Sequence, residues 1–399
     1  MSRRQLPQQI TKITIPERGS GKSVIRYEVR ADAGINPETG KRHQVKRRYR
    51  TEQEARAGLV KFLADAAAGE FVARKDVTVE QICADWFGSL HWGRATTIAG
   101  YEYNLAPLRE AYGPLPVQKL TRKHVDDLVS ALKAGGTTTT KGNVRRPWSA
   151  RSLKRTVETT AMVLDYAKDR KLVSHNVARL IKPKSGRKRK PQTYTAAEVL
   201  TFLTSLDGDR NGHLWFLALC GLRRGKIGGL RWSGVDFKAK TLTVHIGRAA
   251  AGGKAVEDDP KTEASERTLP MDDEMVAVLR KARRRQAADK LQLGEAYQDL
   301  GYVACGEDGN PFHPDTLTHK WAKAAKAAGV RHIRLHDARH TCGTTLHLRK
   351  VPMAVIAAWL GHADASVTAR IYMHSQDDAL RDAARTLGEV VSSRVIDAS

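Results

Sequence analysis

The chain has 399 residues, a length that at about 150 residues per domain predicts two to three domains, and its 68 Lys plus Arg against 43 Asp plus Glu leave a net charge of +25. Hydrophobic residues at 41% suffice for packed cores and exclude a disordered chain, while no apolar run approaches the roughly 18 residues of a membrane span. The start, MSRRQLPQQITK, has no apolar signal segment, so a cytoplasmic protein is expected, and Cys83, Cys220, Cys305 and Cys342 are spaced for neither a disulfide framework nor a zinc knuckle.

So large a positive excess points to a polyanionic partner, most simply nucleic acid. Residues 1–50 hold 13 Lys/Arg against 4 Asp/Glu, densest in KRHQVKRRYR at 41–50. A second run, KPKSGRKRK at 182–190, has six basic residues in nine and no acid. One such run alone reads as well as a solvated face or flexible linker as it does as a nucleic-acid contact; two favour nucleic acid.

In chain order, Val24, Ile25, Tyr27 and Val29 predict a strand, ADAGINPETGK a turn, and QVKRRYR a second extended stretch. Thr51–Ala68 predicts a helix backing that small basic sheet, which suits a groove-reading DNA module. Residues 77–182 predict a helical domain. Thr78 and Gln81 make a capping box, Thr121 opens a helix with Val125, Leu128, Val129 and Leu132 on one face, and Ser149 opens a longer one. GGTTTTKGN at 135–143 predicts a loop. From Thr195, where Thr195 and Glu198 form another capping box, the pattern is mixed. The segment Trp215–Leu222 predicts a buried helix, Thr241–Ile246 a strand paired with Thr262–Leu269, and 314–390 further helices.

The fold class expected is therefore multidomain and mostly α with small β-sheets. It comprises a sheet-plus-helix domain at 1–72, a helical domain at 77–182, a basic linker at 183–193, a mixed α+β domain at 194–390 and a tail at 391–399.

The chemistry concentrates in the last domain. In LHDARHT at 335–341, His336 and Arg339 are three apart and share a helix face. That spacing alone says nothing, since His91/Arg94 and His245/Arg248 repeat it. Its neighbours make it informative: Leu360-Gly361-His362 downstream, then Tyr372 in ARIYMH, and upstream Arg223 in GLRRG and Lys261 in PKTEASERTLP. Each residue alone has an ordinary structural reading.

Together, in order and spacing, GLRRG, KT, HDARHT, LGH and Tyr372 resemble the tyrosine recombinase family, specifically its phage-type integrases. The likeness covers about Thr195 to Ala384; the helical domain is similar to that family's core-binding domain, and the N-terminal segment to its arm-binding domain. The resemblance implies a site-specific DNA recombinase that works through a 3′-phosphotyrosine, with no metal and no nucleotide. Its catalytic residues would be Arg223, Lys261, His336, Arg339, His362 and Tyr372. Two guanidiniums suit the charge that builds on a phosphodiester in the transition state. Tyr372 would attack phosphorus, His336 would relay its proton, His362 would bond a phosphate oxygen, and Lys261, or Lys254 of the same hairpin region, would protonate the leaving oxygen.

The implied partner is double-stranded DNA at core-type and arm-type sites, bound by a homotetramer, with a host bending protein and a directionality factor as accessory partners and no membrane. One departure stands out. The family usually carries Glu or Asp three residues after the first arginine, and this chain has Lys226, which adds like charge to a cationic pocket. A type IB topoisomerase, or a DNA-binding relative with weakened catalysis, are the competing readings.

Overall fold

Ile10–Pro16 (β1), Ser23–Ile35 (β2) and Arg42–Tyr49 (β3) form an antiparallel sheet in the order β1-β2-β3, followed by the helix Glu52–Ala67 (α1). These elements come from a computed structural model that describes residues 6–16, 23–35, 42–67, 76–91, 93–184, 186, 191–258, 266–362, 384–385 and 387–388. Strand alternation turns Ile10, Val29 and Ala31 inward onto Ala55, Leu59 and Phe62 of α1, a small apolar core of its own. Two details depart from the sequence reading. β1 was not expected, because ITKITIP lacks the strict two-residue apolar alternation that marks a half-buried strand. The segment ADAGI, expected as turn, continues β2 to Ile35 with a register shift between Asp32 and Ile35.

On the other face of this sheet Glu28 lies opposite Arg48 in register and is 1% exposed. Arg30 Nε and Arg48 Nε donate to its two carboxylate oxygens at 2.9 and 3.0 Å, with Lys46 Nζ at 3.3 Å. Burial pushes this carboxyl up, but Arg48, Arg30 and Lys46 outweigh it and hold it at about 2.

Val79–Gly88 (α2), Ala95–Tyr112 (α3), Arg122–Ala134 (α4) and Ala150–Asp169 (α5) build the helical segment. Thr78 and Gln81 close the expected capping box, Thr121 closes one with His124, and the Ser149 hydroxyl accepts from the Ser152 backbone N–H. Ile82, Leu105, Leu132 and Val163 are fully enclosed between the helices. The Gly-Thr loop doubles back as a short hairpin, bridged at Thr138 and Val144 and pinned by an Arg145–Glu110 ion pair. The chain divides into two compact units, Met1–Arg187 and Lys188–Ser399, so the division falls inside the second basic run.

The second unit begins with Ala196–Ser205 (α6), Gly212–Leu219 (α7) and Arg224–Gly229 (α8). Strands Val235–Asp236 (β4), Thr241–Val244 (β5) and Arg267–Pro270 (β8) form one antiparallel sheet, and Gly247–Ala251 (β6) with Lys254–Asp258 (β7) form a separate hairpin. The expected pairing is seen between β5 and the Arg267–Leu269 part of the predicted strand, with Val244 opposite Arg267, while residues 262–265 of that prediction lie outside the described residues; the β6–β7 hairpin between them was not read from the sequence. Nor was the long helix Asp273–Leu293 (α9). Pro314–Ala327 (α10), Leu335–Leu348 (α11) and Met353–Leu360 (α12) follow.

Trp321 of α10 is wholly buried, its ring 4.9 Å from Phe202 and 5.9 Å from Trp215, and its indole N–H donates to the Ile333 carbonyl at 2.7 Å. Burying such a side chain contributes roughly 2–3 kcal/mol. This aromatic cluster anchors α7 beside α11, the two elements that deliver the arginines described next. Among the described residues no helix is long and apolar enough to cross a membrane.

Candidate active site

The GLRRG segment is a forced turn. α7 ends at Leu219, and Gly221 takes φ +98°, a conformation that side chains rarely adopt. A Cβ there would also lie 2.8 Å from Leu360 Cδ2 and 3.1 Å from Cys342 Sγ. The turn buries Leu222 and makes Arg223 the cap residue before α8, with its side chain pointing to the end of α12. There Nη1 and Nη2 of Arg223 both donate to the Gly361 carbonyl at 3.1 Å.

α11 carries the second group of residues. His336 and Arg339 lie in its first turns, three apart as the sequence spacing requires. Arg339 is 2% exposed, and its Nη1 donates to the Gly221 carbonyl at 2.6 Å. Asp337 between them is buried and held by a two-pronged contact from Arg334 at 2.7 and 2.8 Å. The rings of His336 and His340 meet edge to face, 5.0 Å between centroids.

The third element is the end of α12. Gly361 adopts the left-handed conformation that terminates the helix, and the His362 N–H returns to the Ala357 carbonyl at 2.9 Å, so His362 sits just past the cap. Two further ties fix this turn. Trp359 Nε1 donates to the Cys220 carbonyl at 2.9 Å, and Arg267 Nε of β8 donates to the Trp359 carbonyl at 2.8 Å.

Segments 220–223 and 359–362 are thus stitched together, and Arg223, His336, Arg339 and His362 surround them. Burial pushes the His336 imidazole down to about 4, helped by His340, Arg339 and Arg223, although the residue keeps some solvent exposure. Burial also lowers His362 to about 4, with Arg339, Arg223, His340 and Arg267 adding to the effect. At neutral pH both rings are therefore neutral, able to accept a proton or a hydrogen bond. Burial lowers Arg223 as well. Guanidiniums beside neutral imidazoles suit an anion whose charge grows during reaction.

Of the six residues proposed from the sequence, these four come together. Lys261 and Tyr372 lie outside the described residues, so their positions are not part of this geometry. Lys254, the other hairpin lysine, is exposed at the start of β7. Arg224 points away and pairs with Asp315 at 3.0 Å and Thr318 at 2.9 Å, as suits a surface arginine. Lys226 Nζ donates to the His245 carbonyl at 2.6 Å. Arg267 and Trp359 were missed. Their ties run to backbone carbonyls 92 and 139 residues away, which no local pattern encodes. The one available signal was strand alternation, which puts Arg267 on the same side as buried Leu269.

Residues 195–379 match the model of the phage integrase family. A XerC-like tyrosine recombinase of Caldanaerobacter subterraneus is 32% identical over 212 residues, 50% of this chain and 54% of that protein. The chain thus spans about half the length of this curated relative. An integrase of Streptomyces ambofaciens is 24% identical over 359 residues, covering 87% of this chain and 89% of that one. Among solved structures, the Tn1549 transposon integrase in complex with transposon right end DNA superimposes with a TM-score of 0.62 at 17% identity, over 78% of this chain and 99% of that chain.

Proposed function

We propose that the chain, whose residues 195–379 match the phage integrase family, is a site-specific DNA recombinase of the tyrosine type, the integrase of a phage or integrative element. The observation that carries this reading is the convergence of Arg223, His336, Arg339 and His362 on the stitched turns 220–223 and 359–362. The two arginines neutralise the nonbridging oxygens of one phosphodiester. The Tyr372 oxygen forms a bond to phosphorus as the bond to the 5′ oxygen breaks. The phenol proton passes to neutral His336, and Lys261 protonates the departing 5′ oxygen. His362 donates to a phosphate oxygen. Attack by a second 5′ hydroxyl reverses these steps and rejoins the strand, so the phosphotyrosine conserves the bond energy. All the positive charge in this scheme comes from side chains, so cleavage needs neither a metal ion nor a nucleotide.

The working partner is double-stranded DNA. Residues 77–182 with the catalytic domain, 194–390, take the core-type site, and the basic sheet of 1–72 takes an arm-type site. Recombination requires four strand cleavages, so a homotetramer assembles on DNA, in the cytoplasm, with a host bending protein and a directionality factor as accessory partners. The test uses a pool of nicked duplexes tiling the genome in which the chain is encoded. Wild type is expected to form a detergent-resistant covalent complex with some member, in the presence of EDTA. Tyr372→Phe is expected to bind the same duplex without covalent attachment. A covalent complex in that variant, or none in wild type, overturns the proposal. Strand exchange between two such sites separates a recombinase from a topoisomerase.

A further inference from the structure

Arg267 is the third arginine at this site, and it has no counter-charge among the described residues. Its Nε is committed to the Trp359 carbonyl at 2.8 Å, but Nη1 and Nη2 are buried and have no hydrogen-bond partner among the described residues. The adjacent acid, Glu266, is taken by His245 Nδ1 at 2.7 Å, on the opposite side of the strand by alternation. Burial lowers Arg267 to about 10, and the neighbouring Arg223 pushes the same way. Removing a guanidinium from water beside a like charge is costly, and no carboxylate among the described residues offsets it.

We propose that Arg267 is a positioning residue of the phosphate site, fixing the turn that presents His362 and holding an uncompensated charge that the DNA phosphate offsets. The inference rests on the recombinase reading. Two guanidiniums grip the end of α12 from different elements: Arg223 holds the Gly361 carbonyl from the α7–α8 junction, and Arg267 holds the Trp359 carbonyl from β8. Trp359 in turn reaches Cys220, next to the turn that Arg339 holds. Loosening Arg267 therefore loosens the spacing between His362 and Arg223, although its hydrogen bond reaches the backbone of that turn and neither of those side chains. Its two enclosed Nη groups act on the phosphate through their field rather than by contact. That is why its charge and its tether are separable properties.

The separation sets the experiment, done on the full chain with the duplex captured by the wild type. Arg267→Met removes both charge and tether at similar volume, while Arg267→Lys keeps the charge. For Arg267→Met, cleavage at saturating DNA is expected to fall roughly 10- to 100-fold, as when an orienting group behind a reactive centre is lost. Its DNA affinity is expected to fall too, but by less than the cleavage rate, since the phosphate loses the field of one charge and no direct contact. Arg267→Lys is expected to recover part of the rate. The DNA-free Arg267→Met protein is expected to melt no lower than wild type, because an unpaired buried charge has gone. A purely structural arginine gives the opposite result, a lower melting temperature together with parallel losses of cleavage and binding and no rescue by lysine. That pattern, or cleavage at the wild-type rate, overturns the inference while leaving the recombinase reading intact. A wild-type chain that forms no covalent complex overturns the reading itself.

Discussion

Arg339 donates from Nη1 to the carbonyl of Gly221 at 2.6 Å, joining α11 to the turn before α8 across 118 residues of sequence. The acceptor is available only because Gly221 turns at φ +98°, and the same turn leaves no room for a side chain against Leu360 and Cys342. Position 221 thus controls both the fold of the turn and the aim of the arginine.

Gly221→Ala is accordingly expected to cost roughly 2–5 kcal/mol of stability, combining left-handed backbone strain with overpacking. Denaturant unfolding measures it. Cleavage on the captured duplex is expected to fall further than the population of folded protein accounts for, because the Arg339 acceptor moves.

The Lys226 substitution changes meaning once its side chain is located. From the sequence, a carboxylate there is expected to relieve cationic repulsion and raise cleavage. The structure instead has Lys226 Nζ donating to the His245 carbonyl at 2.6 Å, which ties α8 to the loop between β5 and β6. A glutamate cannot donate to a carbonyl and would repel it. Lys226→Glu is therefore expected to slow cleavage, and Lys226→Gln, which keeps an N–H donor, to stay within about 3-fold of wild type. Cleavage rates of the two variants on one nicked duplex decide between the charge argument and the hydrogen-bond argument; a faster Lys226→Glu enzyme restores the first.

Acid sensitivity follows from three histidines. His213, His336 and His362 are each held at about 4, below the ordinary 6.5, with burial the leading cause in every case. Between these values the unfolded chain binds protons that the folded chain refuses, so stability is full above about 6.5 and is lost as pH falls toward 4. Glu28 and Glu198, held at about 2, add their own loss only below the ordinary carboxylate value of 4.5. Melting temperature is therefore expected to decline from pH 6.5 to 5. His213→Gln keeps a donor for the Val303 carbonyl, which the ring nitrogen meets at 3.1 Å, and is expected to flatten that decline. An unchanged slope would remove His213 from the account.

Much of this was legible in the sequence, and the limits have physical causes. Helix starts were readable because a capping box is local: Thr78 with Gln81 and Thr195 with Glu198 act within one turn. The buried helix before GLRRG announced itself by composition alone. The β6–β7 hairpin did not, since GRAAAGGKAVED lacks the alternation that marks a strand. Arg223, His336, Arg339 and His362 could be proposed from order and spacing, but what holds them could not. Arg223, Arg267, Arg339 and Trp359 all end on main-chain oxygens, and every residue type supplies one of those.

At the other end of the chain, Glu28 gathers Arg30, Lys46 and Arg48 on one sheet face. Glu28→Gln releases these cations and removes one negative charge. On the arm-binding reading, affinity for unrelated duplex is expected to rise and its salt dependence to steepen, while discrimination in favour of the arm-type site falls because the side chains lose their common anchor. Binding titrations at several salt concentrations on specific and unrelated DNA test this. Equal effects on both would show that Glu28 serves stability alone.

The carbonyl ties of Arg223 and Arg339 also decide when rotamer entropy is surrendered. A free arginine side chain has about 2 kcal/mol of such entropy to lose on being fixed. Here Gly361 and Gly221 hold both guanidiniums within the fold itself, so that loss belongs to folding rather than to the encounter with a phosphate. On the recombinase reading, the site would meet a phosphate preorganised, and the binding energy of a long DNA contact would be left for bending the duplex and assembling protomers.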